Sequence, residues 1–293
     1  MRAARFEAKQ DIAGCNLATI DDASALWRVL SKGIYTRADG LGASRTLRKM
    51  VLEGPAPLNL YAAVVAPGGL TKSGAAGLVS GMDAATPADC SIGGMQNVAG
   101  LVVPPGGLHT SGPSNLAATN SSGQTHGFVG NPGVDSSSVA MAMLQQTQIP
   151  WQNLISGNYV GFDYVVSQTG YPSFRSQVAP GDWPVILIDQ PTYQLSQPMS
   201  GRGTLVVLND LTLNGNLQWD GLILVGDQVI SNGKQTVRGA VVTGLNLLLG
   251  QNSVKPVRGN GNWDYQYHSC NIRLALRGLG PMIEEPGTWA EVM

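Results

Sequence analysis

The sequence predicts an all-β-dominated protein whose main body is a parallel β-helix, a solenoid, joined to an N-terminal β-hairpin and one or two short helices. Three observations predict this class. Segments GTLVVLNDLTLNG (203–215), GLILVGDQVISNG (221–233) and GAVVTGLNLLLG (239–250) share one design, and their first glycines, Gly203, Gly221 and Gly239, are eighteen residues apart twice over. Each opens with an apolar run, passes a polar kink, resumes alternation and stops at Gly. Asn214 and Asn232 fall at the same offset. The third observation is composition: hydrophobic residues are 43%, charged residues only 13%, and there are 38 Gly and 17 Pro.

A repeat near twenty residues made of strand-type runs cannot bury its inner face alone; stacked on its neighbours, it shares a continuous core. At ~3.3 Å per residue, eighteen residues trace a loop roughly 60 Å around, enough for two or three short sides with corners. Gly and Asn suit those corners because they tolerate positive φ, and stacked Asn side chains can bond each other. The competing reading is three consecutive antiparallel strands of a sandwich; the exact register across three units favours the coil. Eighteen residues divide into three hexapeptides, which suits a left-handed coil, but the small-residue hexad pattern is missing, which points to a right-handed one.

The elements follow in order. Residues 1–25 read as a helix remnant and a loop: AARFEAKQDIAG contains good helix formers and stops at Gly14. Residues 26–56 read as a hairpin, with LWRVLSKGIY and ASRTLRKMVL as alternating strands around an Asp-Gly turn. Residues 57–293 form the solenoid, interrupted by a loop and helix insertion at about 113–182. VAPGGLTKSG (65–74) and VPPGGLHTSG (103–112) repeat 38 residues apart, close to two turns, with AGLVSG (76–81) as an intermediate layer. The stack is therefore expected to begin near Leu58. Residues 114–133, rich in Ser, Asn, Gly and Thr, read as an exposed loop. Asp135 or Ser136 caps a helix, SSVAMAMLQQTQ, that ends before Pro150. VILI (185–188) lies eighteen before 203–206 and reads as the preceding layer. WDYQYH (263–268) is a short aromatic strand, 271–279 one or two helical turns, and the tail is extended, with Trp289 as an anchor.

Net charge is −1, so no nucleic-acid partner is expected. No apolar run reaches eighteen residues, so no membrane span is expected in this chain, and the first residues carry no apolar export segment. Polarity carried by Ser, Thr, Asn and Gln nevertheless suits an exported protein.

The chain resembles the ectodomain of the PilX-type pilus-assembly proteins, minor pilin-like proteins of Gram-negative bacteria. The residues carrying the likeness are LWRVLSKGIY with GASRTLRKMVL, LYAAVVAPGGLTKSGAAGLVSGMDAA, the stretch NGNLQWDGLILV, and the endings YHSCNIRLAL and PGTWAEV, in that order from Leu26 to Val292. Members of that family begin with a hydrophobic pilin-type helix; here only Ala3 to Gln10 corresponds to its last turns. The resemblance implies a structural component of a type IV pilus or related filament, displayed at the cell surface, with other pilin subunits or pilus tip proteins as partners. It also implies a disulfide between Cys90 and Cys270, because cysteines recur at both places in the family; Cys15 is then free. Such a bond closes a loop of about 180 residues and contributes ~2–4 kcal/mol.

Catalytic chemistry finds little support. β-Helix enzymes acting on polysaccharides need carboxylates converging with Lys or Arg. Asp189, Asp210, Asp220 and Asp227 lie on the regular layers, but Asp210 and Asp227 are seventeen apart and need not point the same way; Arg202, Lys234 and Arg238 are the neighbouring cations. His109, His126 and His268 are far apart, no GxSxG elbow, P-loop or dinucleotide fingerprint is present, and Cys spacing gives no zinc site. Ser80 to Asp83 with Asp89 offers two carboxylates, few for calcium. The expected protein is non-enzymatic, with no metal or cofactor. The alternatives are a carbohydrate-binding adhesin, with Trp219, Trp263, Tyr265 and Tyr267 as the rings available to stack on surface glycans, although core or edge packing is the expected place for most of them, and a polysaccharide-cleaving enzyme.

Overall fold

The computed structural model describes residues 25–36, 42–53, 58–74, 77–86, 97–111, 116–119, 136–156, 162–166, 182–196, 198–251, 254–276, 279, 282–284 and 290–292. The helix remnant, Cys15, Cys90, Asp89, His126 and Trp289 lie outside them.

The alternation of the first two runs produces β1 (Ala25–Thr36) and β2 (Gly42–Glu53), which pair antiparallel from Ala25↔Glu53 to Thr36↔Gly42. Short apolar runs bounded by Gly and Pro then give β3 (Ala62–Val65), β4 (Leu70–Lys72) and β5 (Gly77–Ser80), followed by β6 (Ala99–Val102), β7 (Leu108–Thr110) and β8 (Leu116–Thr119). The two triplets pair one to one and parallel: Ala62↔Ala99, Leu70↔Leu108 and Gly77↔Leu116.

This corrects two expectations. The VAPGG and VPPGG repeats are adjacent layers, not layers two turns apart, and β5 is a third side of the first layer, not a layer between. The surplus residues leave the stack after β5 and return where the Val98 N–H donates to Gly81 O, 2.8 Å. The polar stretch expected to be an exposed loop contains β8, whose residues complete the second layer.

α1 (Ser136–Gln146) and α2 (Trp151–Ile155) flank Pro150. Next come β9 (Tyr164–Val166), β10 (Val185–Ile188) and β11 (Thr192–Leu195). The repeats supply β12 (Met199–Val207), β13 (Asp210–Leu213), β14 (Leu217–Val225), β15 (Val229–Ser231) and β16 (Gln235–Val242). A 3-10 turn (Leu245–Leu249) precedes β17 (Val257–Gly259), β18 (Trp263–Gln266), α3 (Ser269–Leu276), β19 (Met282–Glu284) and β20 (Ala290–Val292).

The protein is strand-dominated, with two parallel sheets. The larger runs β8-β5-β18-β16-β14-β12-β10-β9, with β3 on β16 and β6 on β3; the smaller runs β11-β13-β15-β17-β4-β7. From β10 to β18 successive strands alternate between the sheets, and β12, β14 and β16 pair at the eighteen-residue offset of the sequence repeat. VILI pairs one residue differently from expectation, Val185↔Thr204, an offset of nineteen. Insertion of the 3-10 turn stretches the next step, so Ile230 pairs with Arg258.

The long strands have two halves. LQWD alternates buried and exposed, as one face meets water; LILV is buried throughout, because helix α3 covers the outer face there. Thr204 Oγ1 donates to Ala275 O, 3.0 Å, across that contact.

The layers do not follow chain order. A coil starting near Leu58 and running steadily to the C-terminus is the expectation. Instead β3, β4 and β5 stack beyond β16, β17 and β18, through Val64↔Val241, Leu70↔Val257 and Gly77↔Trp263. The reason is that the chain leaves the stack after β18 to form α3. The open edge of β16 must then be completed by a segment with matching apolar residues, and Val64 and Val65 supply it. β19 and β20 pair antiparallel with β2, so the C-terminal strands join the hairpin in a separate four-stranded sheet.

Candidate functional site

The repeat glycines form one column: Gly203 pairs with Gly221, and Gly221 with Gly239. Their φ values are +104°, +124° and +156°. A Cβ on Gly221 would overlap the Gly203 carbonyl oxygen and sit 3.1 Å from Ala275 Cβ, so the column must be free of side chains for α3 to pack against it.

A second column is made of asparagines. Asn232 Nδ2 donates to Asn214 Oδ1 at 2.7 Å. The backbone N–H groups of Asn214 and Gly215 both donate to Leu195 O, at 2.8 and 3.0 Å, and those of Asn232 and Gly233 to Leu213 O, at 2.8 and 3.3 Å. Ser231 pairs with Gly259, which brings Asn260 into line as a third member. The ten-residue interruption of the period hid Asn260 from sequence reasoning; its Asn-Gly dipeptide was the available signal.

The carboxylates divide. Asp210 and Asp227 do converge, contrary to the seventeen-residue argument, because they occupy neighbouring positions in adjacent layers. Lys255, from the insertion after the 3-10 turn, lies 3.2 Å from Asp210 Oδ2 and also bridges Asp227 Oδ2. Asp210 further accepts from Gln228 Nε2 at 3.3 Å. The hydrogen bond to Asp227 is the main reason the Lys255 pKa is raised; Asp210 adds to it, and partial burial opposes it. The carboxylates are thus tied to a lysine that stays charged. Asp220 stands apart: burial raises its pKa, while the charges of Arg238, His268 and Arg202 pull it down. Asp83 Oδ1 accepts from the Ser269 N–H at the start of α3 and from the Ala85 N–H, each 3.0 Å. Its Oδ2 is buried without a hydrogen-bond partner. Asp83 is therefore a helix cap. Among the described residues no three His, Cys, Asp or Glu are placed to hold a metal ion.

The aromatics are inside. Trp219, Trp263, Tyr265 and Tyr267 are all buried, so none offers a ring to a sugar, which corrects the stacking expectation. Trp219 lies against Gly201, where a Cβ would stand 2.5 Å from the ring, and its Nε1 donates to Gly203 O and Leu222 O, both 3.1 Å. Trp263 packs in the same way on Gly259, and its Nε1 donates to Ser231 Oγ at 2.7 Å. Ser231 Oγ in turn donates to Gln235 Oε1, 2.9 Å. Lys72, fully buried, places Nζ 5.5 Å from the centre of the Trp263 ring and donates to Ser73 O at 2.9 Å. This polar thread joins the N-terminal layers to β18. Burial lowers the Lys72 pKa.

His109 lies exposed on β7, whereas His268 is buried beside α3, where its Nδ1 accepts from the Asn271 N–H at 3.2 Å. Cys270, on α3, is buried and disulfide-bonded. With Cys90 and Cys15 outside the described residues, the Cys90–Cys270 pairing remains what the resemblance implies.

No known protein family, curated protein or solved structure matches this chain.

Proposed function

We propose that this chain is a non-enzymatic, surface-displayed β-solenoid of a type IV pilus or related filament, a minor pilin-like or tip protein. The observation that carries the reading is the columnar register: Gly on Gly across three layers and Asn on Asn across two, at one eighteen-residue spacing. A coil of this kind is rigid because each layer is held by hydrogen bonds and core contacts to the next. The separate antiparallel sheet of β1, β2, β19 and β20 gathers both ends of the described chain on one element, as suits a base from which a head projects.

The same geometry weakens the alternatives. A glycan-binding adhesin loses the four aromatics named for it, because they are core. A polysaccharide-cleaving enzyme requires carboxylates free to exchange protons, whereas Asp210 and Asp227 are both engaged by Lys255. The partners are other pilin subunits or tip proteins. The full-length gene product, tagged and expressed in its own host, is expected to co-purify with sheared filaments. Its absence from filaments, with normal filament number in a clean deletion, rejects the proposal.

A further inference from the structure

The chain contains three Asn-Gly dipeptides, 214–215, 232–233 and 260–261. All three occupy the one exposed corner column, yet their hydrogen bonding differs. We propose that Asn260–Gly261 is a spontaneous deamidation site, and that the other two corners are protected from the same chemistry by the stack.

In this reaction the Gly backbone nitrogen attacks the Asn side-chain carbonyl carbon. A C–N bond closes a succinimide ring, the Cγ–Nδ2 bond breaks, and the side-chain nitrogen leaves as ammonia with the proton lost from the Gly amide. Water then opens the ring at either carbonyl to give aspartate or isoaspartate. No oxidant is needed. Glycine following Asn favours attack because no Cβ obstructs it. Two things prevent it: a hydrogen bond that holds the Gly N–H away, and a hydrogen bond that fixes the Asn amide.

The first two corners have both. The Gly215 N–H is held by Leu195 O and the Gly233 N–H by Leu213 O, and the two side-chain amides bond each other at 2.7 Å. At the third corner the Asn260 N–H donates to Ser231 O, 3.0 Å, but among the described residues nothing accepts from the Gly261 N–H and nothing holds the Asn260 side chain. The amide is exposed to the water that completes the reaction. The difference follows from the fold: the insertion that lengthens the step between β15 and β17 falls at this layer.

The position gives the modification a consequence. Gly74, at the end of the N-terminal layer, lies so close to Asn260 that a Cβ there would overlap the Asn260 carbonyl oxygen. Isoaspartate inserts a methylene into the main chain at that contact. It would loosen the junction at which β3, β4 and β5 rest on the layers made by β16, β17 and β18.

The test is peptide mapping of the purified chain after incubation in mildly alkaline buffer, folded and in denaturant, with isoaspartate read by mass and by carboxyl methyltransferase labelling. In the folded protein Asn260 is expected to convert about thirtyfold faster than Asn214 or Asn232, equivalent to ~2 kcal/mol. In denaturant the three are expected to convert at similar rates. Equal rates in the folded chain, or protection of Asn260 relative to the denatured chain as strong as at the other two, overturns the proposal. Hydrogen exchange of 62–72 in the converted protein reads the junction: faster exchange is expected, and unchanged protection overturns the loosening.

Discussion

Replacing Gly221 by Ala tests the column of glycines where helix α3 packs against it. The residue has φ +124°, and holding a non-glycine residue in so sparsely populated a region costs on the order of 1–3 kcal/mol. The new methyl also meets the Gly203 carbonyl oxygen and, at 3.1 Å, the Ala275 methyl of α3, so main chain or helix must shift. Overpacking of this kind costs roughly 1–3 kcal/mol more. The total is about 2–6 kcal/mol, and with a urea slope of roughly 3 kcal/mol/M for a chain of this size the midpoint falls by about 0.7–2 M. Gly106 provides the control: its φ is +72°, but a Cβ there meets nothing within 4 Å, so Gly106→Ala carries only the conformational cost, about 1 kcal/mol. Urea denaturation followed by far-UV circular dichroism measures both. Equal midpoints for the two variants refute the argument, because the difference between them is the close stacking itself.

Other outcomes follow from the same geometry. Trp263→Ala removes a ring seated on Gly259 and the indole N–H that donates to Ser231 Oγ, and is expected to cost ~3–5 kcal/mol in the same denaturation assay. Lys255→Met breaks the bridge to Asp210 and Asp227, but the lysine side chain is 49% exposed, so the loss is at most about 1 kcal/mol and disappears in high salt. Alkaline conditions should destabilise the fold by two routes. The raised Lys255 pKa means that its contribution is complete below the ordinary lysine value and is lost as pH rises through the folded value. Burial pushes Tyr61 and Tyr267 up to about 12, with the Asp83 charge adding to Tyr267, so the unfolded chain ionises first as pH passes ~10 and stability falls from there. Tyrosinate absorbance against pH, with and without denaturant, reads this directly. Non-reduced peptide mapping is expected to find Cys90 linked to Cys270; a Cys15 link replaces that pairing, and an alkylated Cys270 contradicts the disulfide.

Much of the fold was legible where the sequence is locally periodic. Gly203, Gly221 and Gly239 carry the register because one turn of stack costs a fixed number of residues, and the alternation of LWRVLSKGIY and ASRTLRKMVL suffices for a hairpin. What broke the period also broke the reading. Lys255 and Asn260 follow the insertion, so neither could be aligned with Asp227 or Asn232 by counting. The VAPGG and VPPGG repeats were visible as a pair, but their excursion between β5 and β6 made one layer look like two. The joining of β3 to β16 was invisible because it depends on matching edges between distant segments, which no spacing records. Core or edge packing is the better-supported reading of most of the aromatics, and all four are buried; which residues seat the two tryptophans was not legible, because Gly201 and Gly259 are ordinary in sequence and become informative only when the neighbouring layer is known.

The N-terminal layers stack beyond β16, β17 and β18, and this junction separates the fold from a coil wound in chain order. Thr71 and Arg258 are paired across that junction on β4 and β17. Neighbouring strands bring α-carbons within the ~4.4–6.8 Å that a disulfide requires. In the double variant Thr71→Cys, Arg258→Cys, mapping of the oxidised protein is expected to find residues 71 and 258 cross-linked in high yield, with the combination His109→Cys, Gln194→Cys, on the strands at opposite ends of the smaller sheet, yielding none. A bond between 109 and 194 with none between 71 and 258 would mean that the layers follow chain order, with β7 next to β11, and the arrangement described above would be wrong.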